Sequence, residues 1–385
     1  MEKWSYAKIG DVCTVERGGS PRPIDKFITD DPNGINWIKI GDTTDSMYIT
    51  ETAQKIIPEG MKKSRYVQPG DFLLSNSMSF GRPYILRIDG CIHDGWLVLR
   101  DNEGVFDKRF LYYYLSSPST YQKFKNMAVG GVVNNLNSDM VRGVTVPVPK
   151  MEEQIEIVQT LDNVSNLISL RKQQLAKLDQ LVKSRFIELF GDPVYNNDGL
   201  PTKKLRELGS LDRGRSQHRP RNDPKLLNGP YPLIQTGEVA SAGLYITEYK
   251  NTYSELGLQQ SKKWKAGTLC ITIAANIAQT AILTFDACFQ DSVVGFVPND
   301  AVSAIYMHYW FGFFQKILEE QAPQVAQKNI NLKILSDLDV MVPKKEHQEQ
   351  FAAFVEQTDK SKLAIQQSLD KLELLKKALM QKYFG

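Results

Sequence analysis

The chain has 385 residues, of which 42% are hydrophobic and 10% aromatic, and its formal net charge at pH 7 is +3. This composition is typical of a folded protein of two or three domains and excludes a disordered protein, a fibrous protein and an acidic DNA mimic. The four cysteines form no Cys-x-x-Cys pair and have no histidine at metal-binding spacing, so no metal site and no disulfide framework is predicted. We expect a cytoplasmic protein, because the N-terminus does not resemble a signal peptide and polar residues interrupt the one long apolar stretch.

Residues 1–147 form the first predicted domain, in which short runs of Val, Ile and Tyr are punctuated by Gly, Pro and Asn. This pattern favours a mixed α and β globule with helical segments such as Asp107 to Leu115. Three of its loops carry side chains suited to DNA phosphates or base edges; a solvated basic loop, and a turn asparagine, are the alternatives. The candidate DNA-binding residues of this domain are Arg22, Lys26, Lys39, Asn76, Ser77 and Arg82.

Residues 148–191 form one long predicted helix, introduced by Pro147 and Pro149 and ended by Gly191. Its Leu, Ile and Val residues recur at steps of three and four, which is typical of a coiled-coil seam. About forty residues at 1.5 Å each give a rod of roughly 60 Å, too long for burial in one globule; an amphipathic helix lying on its own domain is the alternative. The predicted seam comprises Leu161, Val164, Ile168, Leu175, Leu178, Val182 and Leu189.

Residues 192–341 form a second predicted domain that repeats the first. Val15-Glu-Arg-Gly-Gly-Ser20 matches Leu211-Asp-Arg-Gly-Arg-Ser216, and two buried strands are predicted between residues 269 and 285. Equivalent loop positions differ in hydrogen-bonding character, as expected if two copies of one fold read two different sequences. The candidate DNA-binding residues of this domain are Arg213, Arg215, His218, Arg219, Arg221, Gln235, Asn276 and Gln279.

Residues 342–385 form a second long helix, which aligns with the first without a gap. Its predicted seam includes Ile365, Leu369, Leu372 and Leu379. Arg171 and Arg185 interrupt the first seam, whereas Lys362 and Lys376 interrupt the second at other positions, so we expect the helices to pair with each other. The predicted fold is α+β: two mixed α/β domains separated by two long helices that pair as an antiparallel coiled coil, with a pseudo-two-fold internal repeat.

Catalytic motifs are absent from the sequence. It contains no Gly-x-Gly-x-x-Gly after a strand, no phosphate-binding Gly-x-x-x-x-Gly-Lys, no His-Glu-x-x-His and no Asn/Asp-Pro-Pro-Tyr methyltransferase motif. His93 beside Asp94 is the one pair that resembles a catalytic site, but Gln290 replaces the histidine in the second copy. We therefore predict no catalytic residue in this chain.

The ordered, duplicated arrangement resembles the specificity subunit of type I restriction-modification enzymes over the full chain. Each long helix follows a Val-x-Val-Pro segment, begins with a Glu-x-Gln motif that ends at Gln154 or Gln348, and ends in Phe-Gly. Gly-Gly-Ser-Pro-Arg-Pro and the segment from Gly34 to Asp42 also look like parts of a target-recognition domain of that family.

The resemblance implies that residues 1–147 and 192–341 are target-recognition domains, each reading one half of a bipartite double-stranded DNA target. It implies that the helices set the spacing between the halves and carry two methyltransferase subunits. Chemistry would lie in the partners, with S-adenosylmethionine for adenine methylation, and with ATP and magnesium for a restriction and translocation subunit. The chain itself would need no cofactor.

Two other functions are compatible with parts of the sequence. The first is a coiled-coil adaptor whose globules bind proteins, and charge reversal of Arg215, Arg219 and Arg221 together would leave its binding unaffected. The second is a nuclease or methyltransferase acting alone, which the missing motifs oppose and which methyl transfer by the purified chain would reveal.

Overall fold

The computed structural model describes residues 4–76, 81–128, 135–274, 277–321 and 330–385. It forms two compact units, one made of residues 1–172 and 367–385 and the other of residues 173–366. Each unit combines one globule with part of both long helices. The boundaries of the compact units therefore lie within the two long helices, and not between the four consecutive segments predicted from the sequence.

The first unit contains twelve strands within its described residues, most of them short. They are β1 Ser5–Lys8, β2 Thr14–Arg17, β3 Ile28–Thr29, β4 Ile35–Ile38, β5 Tyr48–Ile49, β6 Lys55–Ile56, β7 Arg65–Val67, β8 Phe72–Ser75, β9 Pro83–Leu86, β10 Gly90–Ile92, β11 Trp96–Arg100 and β12 Thr145–Val148. The strands form an antiparallel pair, β1-β12, and two five-stranded sheets with the orders β3-β6-β4-β10-β7 and β2-β11-β8-β9-β5. Strands β8 and β9 are buried along their whole length because nearly all their side chains are apolar.

Five short helices accompany these strands, and the first long helix follows them. They are α1 Ile9–Val12, α2 Pro58–Met61, α3 Lys108–Leu115, α4 Pro118–Ala128, α5 Ser138–Arg142 and the long α6 Met151–Phe190. The predicted helix over Asp107 to Leu115 is confirmed, with Asp107 as its N-cap: the carboxylate accepts hydrogen bonds from the backbone N–H groups of Arg109 and Phe110.

The second globule has a matching set of strands and helices. Its strands are β13 Thr202–Lys204, β14 Gly209–Arg213, β15 Leu227–Ile234, β16 Tyr245–Ile246, β17 Asn251–Tyr253, β18 Lys263–Trp264, β19 Leu269–Thr272, β20 Thr280–Leu283, β21 Ala287–Phe289, β22 Val293–Pro298 and β23 Asp339–Met341. Its helices are α7 Thr236–Ser241, α8 Glu255–Gln259, α9 Ala304–Gln321, α10 Leu332–Ser336 and the long α11 Lys345–Phe384. The two buried strands predicted between residues 269 and 285 are β19 and β20.

Sheet topology repeats between the globules. The sheet β14-β22-β19-β20-β16 has the strand order of β2-β11-β8-β9-β5, and β17-β15-β21-β18 follows β6-β4-β10-β7. The parallel pairs repeat as well: β4 with β10 corresponds to β15 with β21, and β5 with β9 corresponds to β16 with β20. The internal repeat predicted from short sequence matches is therefore a repeat of the whole fold.

The long helices pair in an antiparallel arrangement, as each unit shows by itself. In the first unit, Leu161 near the start of α6 and Phe384 at the end of α11 share one hydrophobic core. In the second unit, Phe186 near the end of α6 shares a core with Phe351 near the start of α11. All predicted seam residues are buried or half-buried. Lys362, one of the polar residues that interrupt the second seam, forms an ion pair across the helices, with Nζ 2.6 Å from Oδ1 of Asp179.

One expectation about the helix surface is wrong. Apolar residues outside the two seams predict that the paired helices leave apolar surface for partners; they are Leu167, Leu170, Leu181, Phe186, Leu363 and Leu374. The five leucines are 45–68% exposed, but Phe186 is fully buried. Its ring stacks on Tyr306 at 5.5 Å between centroids and meets the ring of Phe351 edge to face. The aromatic residues of α9 thus cover a position that helical periodicity assigned to the surface.

The buried imidazole of His308, on α9, predicts that the stability of the second unit depends on pH. Burial lowers the pKa of His308 to about 4, and Nδ1 lies 3.0 Å from the Thr280 hydroxyl. The unfolded chain, with a histidine pKa of about 6.5, binds the proton more readily between these two values. We therefore expect stability to fall as pH decreases from about 6.5 to about 4, by up to about 1.4 kcal/mol per pH unit. Urea unfolding as a function of pH measures this slope.

Matched variants isolate the contribution of this ring. His308→Gln should flatten the pH dependence of the unfolding free energy, whereas His347→Gln, at an exposed position at the start of α11, should leave it unchanged. An unaltered slope in His308→Gln would assign the acid sensitivity to other groups.

No helix in the described ranges has the length and hydropathy needed to cross a membrane.

Candidate nucleic-acid interface

A loop between β2 and β3 carries the basic candidates of the first globule. The guanidinium of Arg22 is 79% exposed and donates from Nη2 to Oδ2 of Asp94 at 3.2 Å. The Ser20 hydroxyl donates to the other carboxylate oxygen at 2.7 Å, and this hydrogen bond is the largest influence lowering the pKa of Asp94. Lys26 is exposed at the end of a short 3₁₀ helix. The loop thus presents two cations, one of them held by a carboxylate.

The equivalent loop of the second globule follows β14 and is more basic. Nη2 of Arg221 donates to Oδ2 of Asp291 at 2.6 Å, and Nη2 of Arg219 lies 3.6 Å from the same oxygen. Nε of Arg213 donates to the backbone carbonyl of Asp291 at 2.9 Å. Arg215 is exposed. Asp291 therefore contacts three of the four arginines of the second globule that are predicted to contact DNA.

His218 belongs to the same loop and is held by a second carboxylate. Its Nε2 lies 3.0 Å from Oδ2 of Asp223. The backbone N–H of Lys225, followed by the contact with His218, lowers the pKa of Asp223. The Gln260 side-chain carbonyl accepts hydrogen bonds from the backbone N–H groups of Gln217 and His218, at 2.7 and 3.1 Å. These contacts fix the backbone of the basic loop.

An open depression of about 680 Å³ lies beside the loop of the first globule. Its lining joins the apolar groups of Pro21, Pro23, Ile24 and Trp37 to the polar groups of Ser20, Arg22, Asp25, Lys39 and His93. Nζ of Lys39 donates to the Gln54 side chain at 2.8 Å. Cations and polar groups match phosphate oxygens and the acceptors of a base edge, and apolar surface beside them matches a thymine methyl group.

His93 lies at this depression with a structural role. Burial lowers the pKa of His93, so its ring is neutral at pH 7. Nδ1 lies 2.8 Å from the backbone nitrogen of Gly95 and Nε2 lies 3.2 Å from that of Ile40. A neutral imidazole has one acceptor nitrogen, so the ring accepts from one of these N–H groups at a time. Such contacts orient the turn after β10 and leave no base-like nitrogen directed at a substrate.

The candidates in the β8–β9 turn of the first globule divide into three cases. Asn76 is 2% exposed, and its amide donates to the backbone carbonyl of Asp94 at 2.9 Å. This placement agrees with the turn role left open by the sequence, since a buried amide cannot read a base edge. Arg82 is exposed beside Tyr84 and Tyr112. Ser77 lies outside the described residues.

In the second globule, the two described candidates of the corresponding turn and of the Gln235 position are both half-buried. Gln279 is half-buried, and its backbone exchanges hydrogen bonds with Thr272. Gln235 is half-buried at the N-cap of α7, where its side-chain carbonyl accepts from the amide of Asn251 at 3.3 Å. Asn276 lies outside the described residues.

Within the described part of the chain, no three His, Cys, Asp or Glu side chains are grouped as a metal site requires.

Both copies of the duplicated unit match the profile of one protein family. The profile of the type I restriction modification DNA specificity domain matches residues 1–180 and again residues 197–375. The chain belongs to this family. Its function is DNA target recognition as a specificity subunit, which is a non-catalytic role, and this membership decides against the adaptor and the stand-alone enzyme.

Individual specificity subunits are distant relatives of this one. It is 22% identical to the putative type I restriction enzyme MjaX specificity subunit of Methanocaldococcus jannaschii, over 98% of this chain and 92% of that protein. It is 21% identical to the EcoBI specificity subunit of Escherichia coli, over 85% of this chain and 75% of that one.

Two solved structures share the fold of this specificity subunit. One is a chain from work on complex assembly and conformational transition of the type I R-M system, with a TM-score of 0.62, 18% identity and coverage of 100% of this chain and 98% of that chain. The other is the S subunit of the type I restriction-modification system from M. genitalium, with a TM-score of 0.59, 14% identity and coverage of 100% and 96%.

Sequence reasoning missed several residues of this specificity subunit. Arg17 donates from Nε to the backbone carbonyl of Asp94 at 3.1 Å, as Arg213 does to Asp291. The signal was present, because Arg17 and Arg213 occupy the same position of the aligned repeat. The two aspartates were also aligned, but only as neighbours of His93 and Gln290, and their contacts with arginine were not anticipated.

Proposed function

We propose that each globule reads one half of a bipartite DNA target through its arginine loop. The observation that carries the proposal is that both globules hold arginines on an equivalent aspartate, Asp94 or Asp291, while the loops around them differ in sequence. Arginine contacts phosphate and reads guanine edges, so exposed guanidinium groups at one place in each globule fit two separate reading surfaces.

Differences between the copies support two distinct half-sites. Lys39 in the first globule corresponds to Gln235 in the second. Lysine donates only, whereas glutamine both donates and accepts, so the two surfaces favour different patterns of donors and acceptors on base edges.

We also propose that two methyltransferase subunits bind the long helices. In the first unit, Leu167 and Leu170 of α6 are 45% and 54% exposed, and Leu374 of α11 is 68% exposed. In the second unit, Leu181 and Leu363 are 49% and 61% exposed. Apolar side chains exposed in both units favour one protein partner for each. S-adenosylmethionine would be bound by these partners, and ATP and magnesium by a restriction and translocation subunit.

Exchange of one domain tests the proposal. Residues 1–147 are replaced by the first domain of another member of the family, and the chain is expressed with its own methyltransferase. Long-read sequencing of adenine methylation in the host should show a bipartite motif in which one half has changed and the other is retained. Changes in both halves would show that the globules read DNA jointly, and a contiguous motif would exclude a bipartite target.

A further inference from the structure

We propose that Asp94 and Asp291 are positioning residues, each of which orients the arginines of one recognition loop and thereby sets the selectivity for one half-site. This inference rests on the proposed function and assigns residues to it. Neither aspartate needs to touch DNA, because its effect is transmitted through the guanidinium groups that it holds.

Each aspartate binds arginine at two places. The backbone carbonyl accepts from the arginine that ends the strand before the basic loop, β2 or β14, at 3.1 Å from Arg17 to Asp94 and at 2.9 Å from Arg213 to Asp291. The carboxylate accepts from an arginine further along the loop, at 3.2 Å from Arg22 and at 2.6 Å from Arg221. Both ends of each basic loop are thereby attached to one residue.

These ion pairs are poorly suited to a purely stabilising role. The side chains of Arg22 and Arg221 are 79% and 41% exposed, and exposed pairs of this kind contribute little to folding. Orientation is a different matter. A guanidinium has five N–H donors in a fixed plane, and Arg22 gives only one of them to Asp94, so the others face outward in a defined direction.

The second loop has a stronger requirement for an anion. Four arginines lie between residues 213 and 221, and their charges repel one another. Asp291 lies within 4 Å of both Arg219 and Arg221 and is the acceptor for Arg213. Without that carboxylate, Arg221 loses its acceptor and Arg219 loses its neighbouring anion, although Arg219 still donates to the backbone carbonyls of Ser216 and His218. Arg221 would then occupy many orientations, which retains attraction to phosphate but loses the geometry needed to distinguish bases.

One difference between the copies gives the proposal a graded test. Ser20 donates to Oδ1 of Asp94, but the corresponding Ser216 hydroxyl and Oδ1 of Asp291, both buried, have no hydrogen-bond partner in the described part of the chain. Asp94 therefore depends on Ser20 for its orientation. Ser20→Ala should accordingly reproduce part of the effect of Asp94→Asn, and only in the first half-site.

The experiment uses the full chain assembled with its methyltransferase subunits. Asp94→Asn and Asp291→Asn remove the charge and retain the size of the side chain. Methylation is measured by sequencing on a DNA library in which each base of the wild-type target is varied singly. Asp291→Asn should lower the preference for the correct base about tenfold at positions read by the second globule, with less than about a twofold change in the first half. Asp94→Asn should give the mirror result.

Two further measurements separate orientation from folding. Binding to unrelated DNA at low salt should be equal or tighter in both variants, because a negative charge has been removed, whereas a misfolded loop would bind more weakly. Asp291→Glu, which restores the carboxylate, should recover part of the selectivity. Asp89→Asn and Asp286→Asn, at equivalent positions after β9 and β20, are the matched controls and should read both halves as wild type does.

Unchanged base preferences in both variants would overturn the proposal, as would an equal loss in both half-sites. A wild-type complex that methylates no bipartite motif would instead refute the proposed function on which the inference depends.

Discussion

Reversing Arg215, Arg219 and Arg221 to glutamate should weaken DNA binding by the assembled complex by at least about a hundredfold at 0.1 M salt. Each arginine that neutralises a phosphate releases roughly 0.9 of a counterion, so the slope of log affinity against log salt should decrease in magnitude by about three. The three side chains belong to one loop, and two of them already approach the carboxylate of Asp291. The reversal therefore removes attraction to DNA and also adds repulsion within the loop.

Fluorescence anisotropy in a series of salt concentrations measures both quantities. Lys203→Glu with Lys333→Glu, two exposed positions of the second globule outside the loop, is the control and should shift the affinity much less. Wild-type affinity and slope in the triple variant would place the DNA elsewhere on the second globule.

Replacing Gln154 or Gln348 by alanine should reduce the free energy of unfolding by about 3–5 kcal/mol. Gln154 is fully buried; its carbonyl accepts from the backbone of Asp107 at 2.9 Å, and its amide donates to the carbonyls of Val105 and Pro149 at 3.0 Å. Alanine leaves one N–H and two carbonyl groups without this partner. The buried carbonyl of Pro149 costs about 1–3 kcal/mol when it is unpaired, and each hydrogen bond lost by the half-buried Asp107 and Val105 costs about 1 kcal/mol.

Gln348 makes the equivalent three hydrogen bonds at the start of α11, and each such set, made by Gln154 or Gln348, is called a glutamine joint below. The Gln348 carbonyl accepts from the backbone of Ser303 at 2.9 Å, and its amide donates to Ala301 at 2.9 Å and to Pro343 at 3.0 Å. Urea unfolding measures the loss, and hydrogen exchange at the amides of Asp107 and Ser303 locates it.

Gln159→Ala and Gln357→Ala, at exposed positions of the same helices, are the matched controls for this loss. They should change stability by less than about 0.5 kcal/mol. Equal effects of the buried and exposed substitutions would show that the joint does not stabilise the fold.

The parts of the fold that follow from local patterns were predictable. Apolar residues at steps of three and four predicted the long helices, since this spacing depends only on neighbouring helical turns. Arg171 and Arg185 interrupt the first seam at positions that do not match those of Lys362 and Lys376 in the second, and this difference indicated that the two helices pair. The apolar run from residue 269 to 285 gave two strands. The repeated Gln154 and Gln348 were recognised as a match, but their role was not.

The missing information concerns contacts between residues distant in sequence. Gln154 bonds to a loop that precedes α3, and Asp94 bonds to Arg17 and Arg22, which lie 77 and 72 residues earlier in the sequence. A periodic pattern of residues reports local structure and contains no information about such long-range contacts. Phe186 shows the same limit, since only the aromatic residues of α9 explain why it is buried. The candidate site was predicted at the level of loops, whereas the side chains that orient each loop required the fold.

The glutamine joint has a consequence for how members of this family diverge. Among the described residues, the hydrogen-bond partners of the Gln154 and Gln348 side chains are all backbone groups. The glutamine joint therefore requires that the backbone of the globule pass through the right position, and it requires no particular side chain there. A recombination event that replaces a whole globule would therefore bring the required partners with it, whatever amino acids the newcomer carries. New target sequences could then arise in a single genetic step, while the helices stay unchanged.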